Sequence, residues 1–174
     1  MKTEKILLVL RVLAWIALVG YAVNLGSQII SFAVSFVNPV ASEQIPGVAQ
    51  NLSDLQQDNF PHYVSAMSFV IALSAMFVHL WYTVITLLSK LNIKSPFTFE
   101  VSTKLENIAY SLFTIWVVSF IGENYVDWIA KGIDKPLSII EDGNEFLFTA
   151  GIVYIISQIF KRGIELQQEQ ELTI

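Results

Sequence analysis

Residues 63–89 read YVSAMSFVIALSAMFVHLWYTVITLLS, and none of them is Asp, Glu, Lys or Arg. An α-helix rises about 1.5 Å per residue, so this stretch is long enough to cross the roughly 30 Å hydrocarbon core of a bilayer. Lipid offers backbone N–H and C=O groups no outside partner, which favours a helix over a strand. We therefore expect this stretch to be a membrane span.

Three further apolar stretches lie at about 6–37, 105–129 and 146–162, and the connections between them contain proline or glycine. The chain is 54% hydrophobic and only 14% charged, and its mean hydropathy is +0.58. These features predict an all-α integral membrane four-helix bundle. Residues 1–174 then form a single membrane domain, with spans at about 6–37, 63–89, 105–129 and 146–162 and a cytoplasmic helical tail at 163–174.

The N-terminal MKTEK followed by an apolar run is similar to a signal peptide. The apolar run is too long for one, however, and no small-x-small cleavage site follows at the right distance. We expect this segment to be retained as the first span.

Lysine and arginine fall mainly on one side of the predicted spans. They lie at the start of the chain, around the second connection and after the fourth span, at Lys2, Lys5, Arg11, Lys90, Lys94, Lys104, Lys161 and Arg162. The first connection, residues 38–61, contains none. This asymmetry predicts that both termini face the cytoplasm and that the protein is a multi-pass protein of the cell (inner, cytoplasmic) membrane, in contact with membrane lipids.

Composition excludes several classes of protein. The chain has no cysteine, so disulfides, thiolate metal sites and thiol redox catalysis are ruled out. Its net charge is −5, and no basic run is longer than Lys161-Arg162, so direct nucleic-acid binding is not expected. It has no nucleophile–base set, glycine-rich phosphate loop or HExxH motif. We expect no enzyme, no cofactor and no metal site.

Arg11 and His79 are predicted to lie at a similar depth within the first and second spans, and Glu106 is predicted to lie within reach of the Arg11 side chain. Ionisable groups in lipid are costly, so each needs a partner or a route to water. One interpretation is a polar contact among the three inside the bundle. In the other, Arg11 extends its side chain to the headgroups and His79 stays neutral, bonded to a nearby carbonyl or hydroxyl.

A second polar group is predicted toward the outside. Asn24 and Gln28 are one turn apart in the first span, Glu123 and Asp127 are one turn apart in the third, and His62 precedes the second. These five residues are a candidate outer polar pocket for a cation or a polar ligand. The alternative is an ion-paired helix end at the headgroup level.

The third span has a readable start. Pro96 disfavours helix at Ser95, Thr98 can cap the helix, and Glu100 places an anion on its first turn. Thr103 and Glu106 have the spacing of a capping box, so a start about one turn later is the alternative.

Two stretches carry a resemblance to a known family. SPFTFEVSTKLENIAYSLF (95–113) resembles the Asn-Pro-Phe-Thr-x-Glu-Asn element of the bacterial four-span proteins grouped as domain of unknown function 2975. FKRGIELQQEQELTI (160–174) resembles the ending of that family, a Glu/Gln-rich helix that closes on Leu-Thr-Ile or Leu-Thr-Val. The matching positions are Pro96, Phe97, Thr98, Glu100, Phe160, Gly163, Leu166, Glu169, Gln170, Leu172, Thr173 and Ile174; the family usually has asparagine where Ser95 stands.

The resemblance implies a bacterial membrane protein with no established reaction. Members of this family are often encoded beside a small helix-turn-helix regulator of the Cro/CI type, which implies a cytoplasmic partner. The resemblance specifies the family but not an activity.

The tail is expected to continue the fourth helix, with Lys161, Glu165 and Glu169 paired along one stripe. Its apolar end suits docking, either against Phe97 and Phe99 of the same chain or in the groove of a partner. Simple solvation is the alternative. The candidate partner-docking residues are Phe97, Glu169, Leu172, Thr173 and Ile174.

Two functions follow from these observations. The first is a non-enzymatic membrane regulator or sensor that binds a small cytoplasmic helix-turn-helix transcription regulator. The second is a small transporter or channel-like carrier with a polar pocket between its helices. The sequence leaves the oligomeric state open, a homo-oligomer included.

Overall fold

The computed structural model describes residues 2–47, 52–91, 97–133, 137, 140 and 143–171. They form α1 (Lys2–Ser35), α2 (Pro39–Glu43), α3 (Ser53–Asp58), α4 (Phe60–Lys90), α5 (Phe99–Ile133) and α6 (Asn144–Glu171). This described part of the chain contains no strand, so the all-α prediction is confirmed. Four of these helices, α1, α4, α5 and α6, are long and apolar enough to cross a membrane.

The long helices extend beyond most of the predicted span limits. α5 begins at Phe99, not at 105, and α6 runs without a break from its apolar part into the tail as far as Glu171. Hydropathy finds only the apolar part of a helix, whereas backbone hydrogen bonding continues into polar turns. At the start of α5, the backbone N–H of Val101 donates a hydrogen bond to Thr98 Oγ1 at 3.3 Å. The Thr98 cap is therefore confirmed, and the later start at Thr103 is not used.

The first connection contains two short helices that the sequence analysis did not predict. Asn38 caps α2 by accepting a hydrogen bond from the Ala41 N–H at 3.1 Å, and Pro39 occupies the first helical position. Asn38-Pro39, which follows the first predicted span, is thus the start of a short helix. α3 follows and ends at Asp58, just before α4 begins.

Serine and glutamine side chains attach this connection to α1. Ser27 Oγ donates to the Pro46 carbonyl at 2.6 Å, and Ser31 Oγ donates to the Ser42 carbonyl at 3.2 Å. From the connection, Gln56 Nε2 donates to the Ser35 carbonyl at 3.1 Å. These bonds link α1 to the connection that follows it at three points and add side-chain partners for backbone carbonyls.

The chain divides into two compact units. Unit 1 comprises Met1–Leu18, His79–Thr114 and Asn144–Ile174, and unit 2 comprises Val19–Val78 and Ile115–Gly143. In unit 2 a buried apolar cluster joins the connection to α4 and α5, with members Leu52, Leu55, Tyr63, Ala66, Met67, Val126 and Ile129. In unit 1 the buried apolar residues include Ala14, Leu80, Val101, Ile108, Leu112 and Ile164.

Candidate functional site

The candidate site lies in unit 1, where the start of α5 meets the end of α6. We call it the α5–α6 junction, and it comprises Phe97, Ser102, Glu106, Ser157, Phe160, Lys161 and Gly163. Its central contact is an ion pair between Lys161 Nζ and Glu106 Oε2 at 2.8 Å. The Glu106 side chain is 18% exposed and that of Lys161 is 35% exposed. Tyr110 OH adds a hydrogen bond to Glu106 Oε1 at 3.2 Å.

An aromatic side chain fits against a glycine at the same junction. The rings of Phe97 and Phe160 have centroids 5.1 Å apart. A Cβ added to Gly163 would lie 2.8 Å from Phe97 Cδ1, which is too close for any larger residue unless Phe97 moves. Glycine at 163 therefore makes room for the ring of Phe97.

The junction also contains a hydrogen bond between two serines, and a surface ion pair at the start of α5 accompanies it. Ser102 Oγ, which is buried, donates to the Ser157 carbonyl at 3.2 Å. Lys90 Nζ lies 3.2 Å from Glu100 Oε1 and joins the end of α4 to the first turn of α5. Both side chains of that pair are more than half exposed, so it adds little stability.

The structure does not bring Arg11, His79 and Glu106 together. Arg11 Nη2 donates to the Leu88 carbonyl at 3.0 Å, near the end of α4. His79 is exposed, and its backbone carbonyl accepts a hydrogen bond from Thr83 Oγ1 at 3.0 Å. Glu106 pairs with Lys161 instead. Arg11 thus bonds a carbonyl at a helix end, and the carboxylate is neutralised by a cation from α6.

Two of the five predicted outer-pocket residues are in contact. Gln28 Nε2 donates to Asn24 Oδ1 at 2.6 Å, and Gln28 Oε1 accepts from Ser74 Oγ at 3.1 Å. Gln28 is only 4% exposed, so both ends of its amide are bonded inside unit 2. Sequence reasoning missed Ser74, because a single serine in an apolar span gives no signal of its partner.

Of the other three predicted pocket residues, His62 contacts aromatic side chains. His62 Nδ1 is 2.9 Å from Tyr125 OH, and the His62 ring meets Trp128 edge-on with centroids 5.6 Å apart. Glu123 is partly buried and Asp127 is exposed on the same stretch of α5. No group of three or more His, Asp and Glu side chains that could hold a metal ion is found within the described residues.

The structure describes two of the five candidate partner-docking residues, Phe97 and Glu169. Phe97 packs against Phe160 and Gly163 of its own chain, and Glu169 lies on the exposed last part of α6. Leu172, Thr173 and Ile174 lie outside the described residues.

The predicted pairing along the tail is wrong at Lys161. Its partner is Glu106 of α5, and Arg162 Nη1 binds Glu165 Oε2 at 2.7 Å. A contact between two helices far apart in sequence takes precedence here over the local spacing of charges.

These features define a multi-span helical membrane protein whose two motif-bearing segments, 97–106 and 157–165, pack against each other. The model of the family described as "Protein of unknown function (DUF2975)" matches residues 47–174, and the chain belongs to this family. No curated protein and no solved structure gives a significant match. Phe97 of the first stretch that resembles the family (95–113) packs against Phe160 and Gly163 of the second (160–174).

Proposed function

We propose that this protein is a non-enzymatic regulator or sensor of the bacterial inner membrane that binds a small cytoplasmic helix-turn-helix transcription regulator. The α5–α6 junction and the helical tail that leaves it are the proposed docking surface. The observation that supports this assignment is the packing of Phe97 against Gly163, which joins the two stretches that resemble the family at the start of the tail.

Beyond Gly163, α6 presents a mostly polar surface. Glu165, Gln167, Gln168 and Glu169 are exposed, and Leu166 is 46% exposed among them. A helix with one apolar residue in a polar, acidic surface suits a groove on a partner, where the apolar residue provides an anchor and the charges provide orientation. The helix is already formed in this chain, so little ordering entropy opposes binding.

The charge of the tail also suits this partner. Proteins that bind DNA carry lysine and arginine on the surface that faces the phosphates. An acidic helix is complementary to such a surface and competes with DNA for it. Binding at the membrane would then hold the regulator away from its operator, and release would return it.

Co-purification with the regulator encoded beside this protein tests the proposal. Gly163→Leu should displace Phe97 and reduce the amount of regulator retained, and removal of residues 172–174 should do the same. The matched control is Gly132→Leu, because a Cβ at Gly132 would meet nothing within 4 Å. If Gly163→Leu and the chain that lacks residues 172–174 both fold and retain as much regulator as the unaltered chain, the proposal is wrong.

The second candidate is a small transporter or channel-like carrier. The observation that favours it is the buried polar contact of Gln28 with Asn24 and Ser74 within helices long enough to span a membrane. Against it, the Gln28 amide is bonded at both ends. Solute flux into proteoliposomes that is lost when His79 and Glu123 are both replaced would favour the carrier; flux that survives would remove those groups from a pathway.

A further inference from the structure

A groove opens between α5 and α6 in unit 1, beside the α5–α6 junction. Its volume is about 300 Å³, and its walls are almost entirely apolar. It is lined by Ala109, Tyr110, Phe113, Leu147, Ala150, Gly151 and Tyr154. Phe113, Tyr110, Leu147 and Tyr154 are each more than 40% exposed, so the groove opens sideways from the helix pair.

Small residues create this groove. Ala109 and Ala150 are buried at its base, and a Cβ added to Gly151 would meet nothing within 4 Å. Gly163, on the same helix, is the opposite case, because Phe97 fills the space in front of it. The space in front of Gly151 is therefore not taken by any described side chain of the helices around it.

One end of the groove is polar and the rest is not. Tyr110 and Tyr154 have ring centroids 6.2 Å apart, and Tyr110 OH points to Glu106. Glu106 in turn pairs with Lys161. Along α6, Lys161 lies roughly 15 Å from Gly151, at about 1.5 Å per residue. A molecule in the groove thus meets an apolar wall, then tyrosine rings, and then a balanced pair of opposite charges.

We propose that this groove binds one acyl chain of a phospholipid, with the headgroup at the level of Tyr154 and the Glu106–Lys161 pair. An amphiphile matches both ends of the groove. A transmembrane helix from a second copy would cover the apolar wall but would place apolar residues against the charged end. The balance of one anion and one cation fits a zwitterionic headgroup, such as phosphatidylethanolamine, better than a headgroup with a net charge.

The groove differs from ordinary lipid-facing surface. α1 also exposes large apolar residues, for example Val12, Ile16 and Val19, but these are side chains that project outward. A chain that lies in a concave groove contacts protein on more than one side, which increases dispersion contacts. The bound chain should therefore exchange more slowly than bulk lipid and survive detergent extraction. This inference does not depend on the proposed regulator.

Photocrosslinking tests the site. The full-length protein is reconstituted in vesicles of phosphatidylethanolamine and phosphatidylglycerol that contain phosphatidylethanolamine with a diazirine on one acyl chain. We expect crosslinks in segments 109–113 and 147–154. Gly151→Leu should abolish them by filling the open space in front of Gly151, and Gly151→Ala should reduce them less. Gly20→Leu, at another glycine with open space in front of it, should leave them unchanged.

Three outcomes would overturn the proposal. Crosslinks in both segments that persist undiminished in folded Gly151→Leu would show bulk lipid only. Crosslinks between two protein chains through segment 147–154, in place of lipid adducts, would assign the groove to a second copy. Equal crosslinking along α1 and in the groove would show no preference. Gly151→Ala keeps the test valid if Gly151→Leu does not fold.

Discussion

The two units of this protein use different polar contacts. Among the described residues of unit 2 the main contacts are neutral: Gln28 binds Asn24 and Ser74, and Ser27 and Ser31 bind backbone carbonyls. In unit 1 the main contacts are charged, with Lys161 on Glu106 and Lys90 on Glu100. Neutral hydrogen bonds hold parts in place at low desolvation cost, whereas a partly buried ion pair is expensive to form.

This difference between the polar contacts of the two units bears on the proposed function. A neutral network whose members are all bonded has no reason to respond to a partner or a headgroup. The Glu106–Lys161 pair is partly exposed and lies beside the groove, close to where the acidic tail of α6 begins. Such a pair can exchange its contacts for those of another molecule. Under the proposed function, unit 1 carries the recognition surface, and the contacts of unit 2 have a structural role.

The largest loss of stability is expected for a substitution in the apolar core of unit 2. Leu55 on α3 is 1% exposed, and Leu55→Ala should destabilise the protein by about 2–5 kcal/mol through the lost burial and the cavity it leaves. The thermal midpoint in detergent measures this change. The control, Gln57→Ala on the exposed face of the same helix, should change stability by less than about 0.5 kcal/mol. Equal midpoints for the two variants would show that α3 does not stabilise the unit.

A smaller effect is expected for the junction glycine. Gly163→Ala forces Phe97 to move, and overpacking of this kind costs about 1–3 kcal/mol. Denaturant unfolding measures it. Gly151→Ala is the control on the same helix, because its new methyl group meets nothing within 4 Å. If Gly163→Ala is as stable as the control, the fit of Phe97 against Gly163 does not fix α6.

The buried amide of Gln28 in unit 2 should contribute less to the stability of the protein than the junction glycine. Hydrogen bonds between helices in membranes average about 0.6 kcal/mol and reach about 1.7 kcal/mol, so Gln28→Leu should cost roughly that much. A double-mutant cycle with Ser74→Ala isolates the contact. Ser68→Ala, whose hydroxyl bonds the Val64 carbonyl of its own helix, should show no coupling to Gln28. If Ser74 also shows no coupling to Gln28, the hydrogen bond between them does not stabilise unit 2.

The smallest effect is expected for the exposed ion pair. Lys90→Gln should cost about 0.2–1 kcal/mol at low salt, because both partners are more than half exposed. The difference should disappear as the salt concentration rises. A loss that is unchanged by salt would mean that Lys90 acts through packing and not through charge.

Much of the fold could be predicted from the sequence. The four apolar stretches correspond to the four long helices, since a mainly apolar run about as long as a bilayer is thick has few alternatives. Thr98 was also readable as a cap, because capping depends on a hydroxyl at a fixed offset from the first turn.

The contacts between helices could not be predicted in the same way. Lys161 has Glu165 one turn away, and only the packing of α6 on α5 gives it Glu106 as a partner. Asn38-Pro39 reads equally as a breaker and as a helix start, and α2 has too few residues for periodicity to decide. Local signals fix helices and caps, whereas partners depend on the rotation of each helix about its axis.

The central claim is that the charged α6 tail faces the cytoplasm, where a regulator can reach it. The chain has no cysteine, so one introduced cysteine is a unique label. Gln168→Cys on the tail and Gln57→Cys on α3 are treated with a membrane-impermeant maleimide in intact spheroplasts. The account predicts that Gln57→Cys is labelled at once and Gln168→Cys only after permeabilisation. Labelling of Gln168→Cys in intact spheroplasts would contradict it.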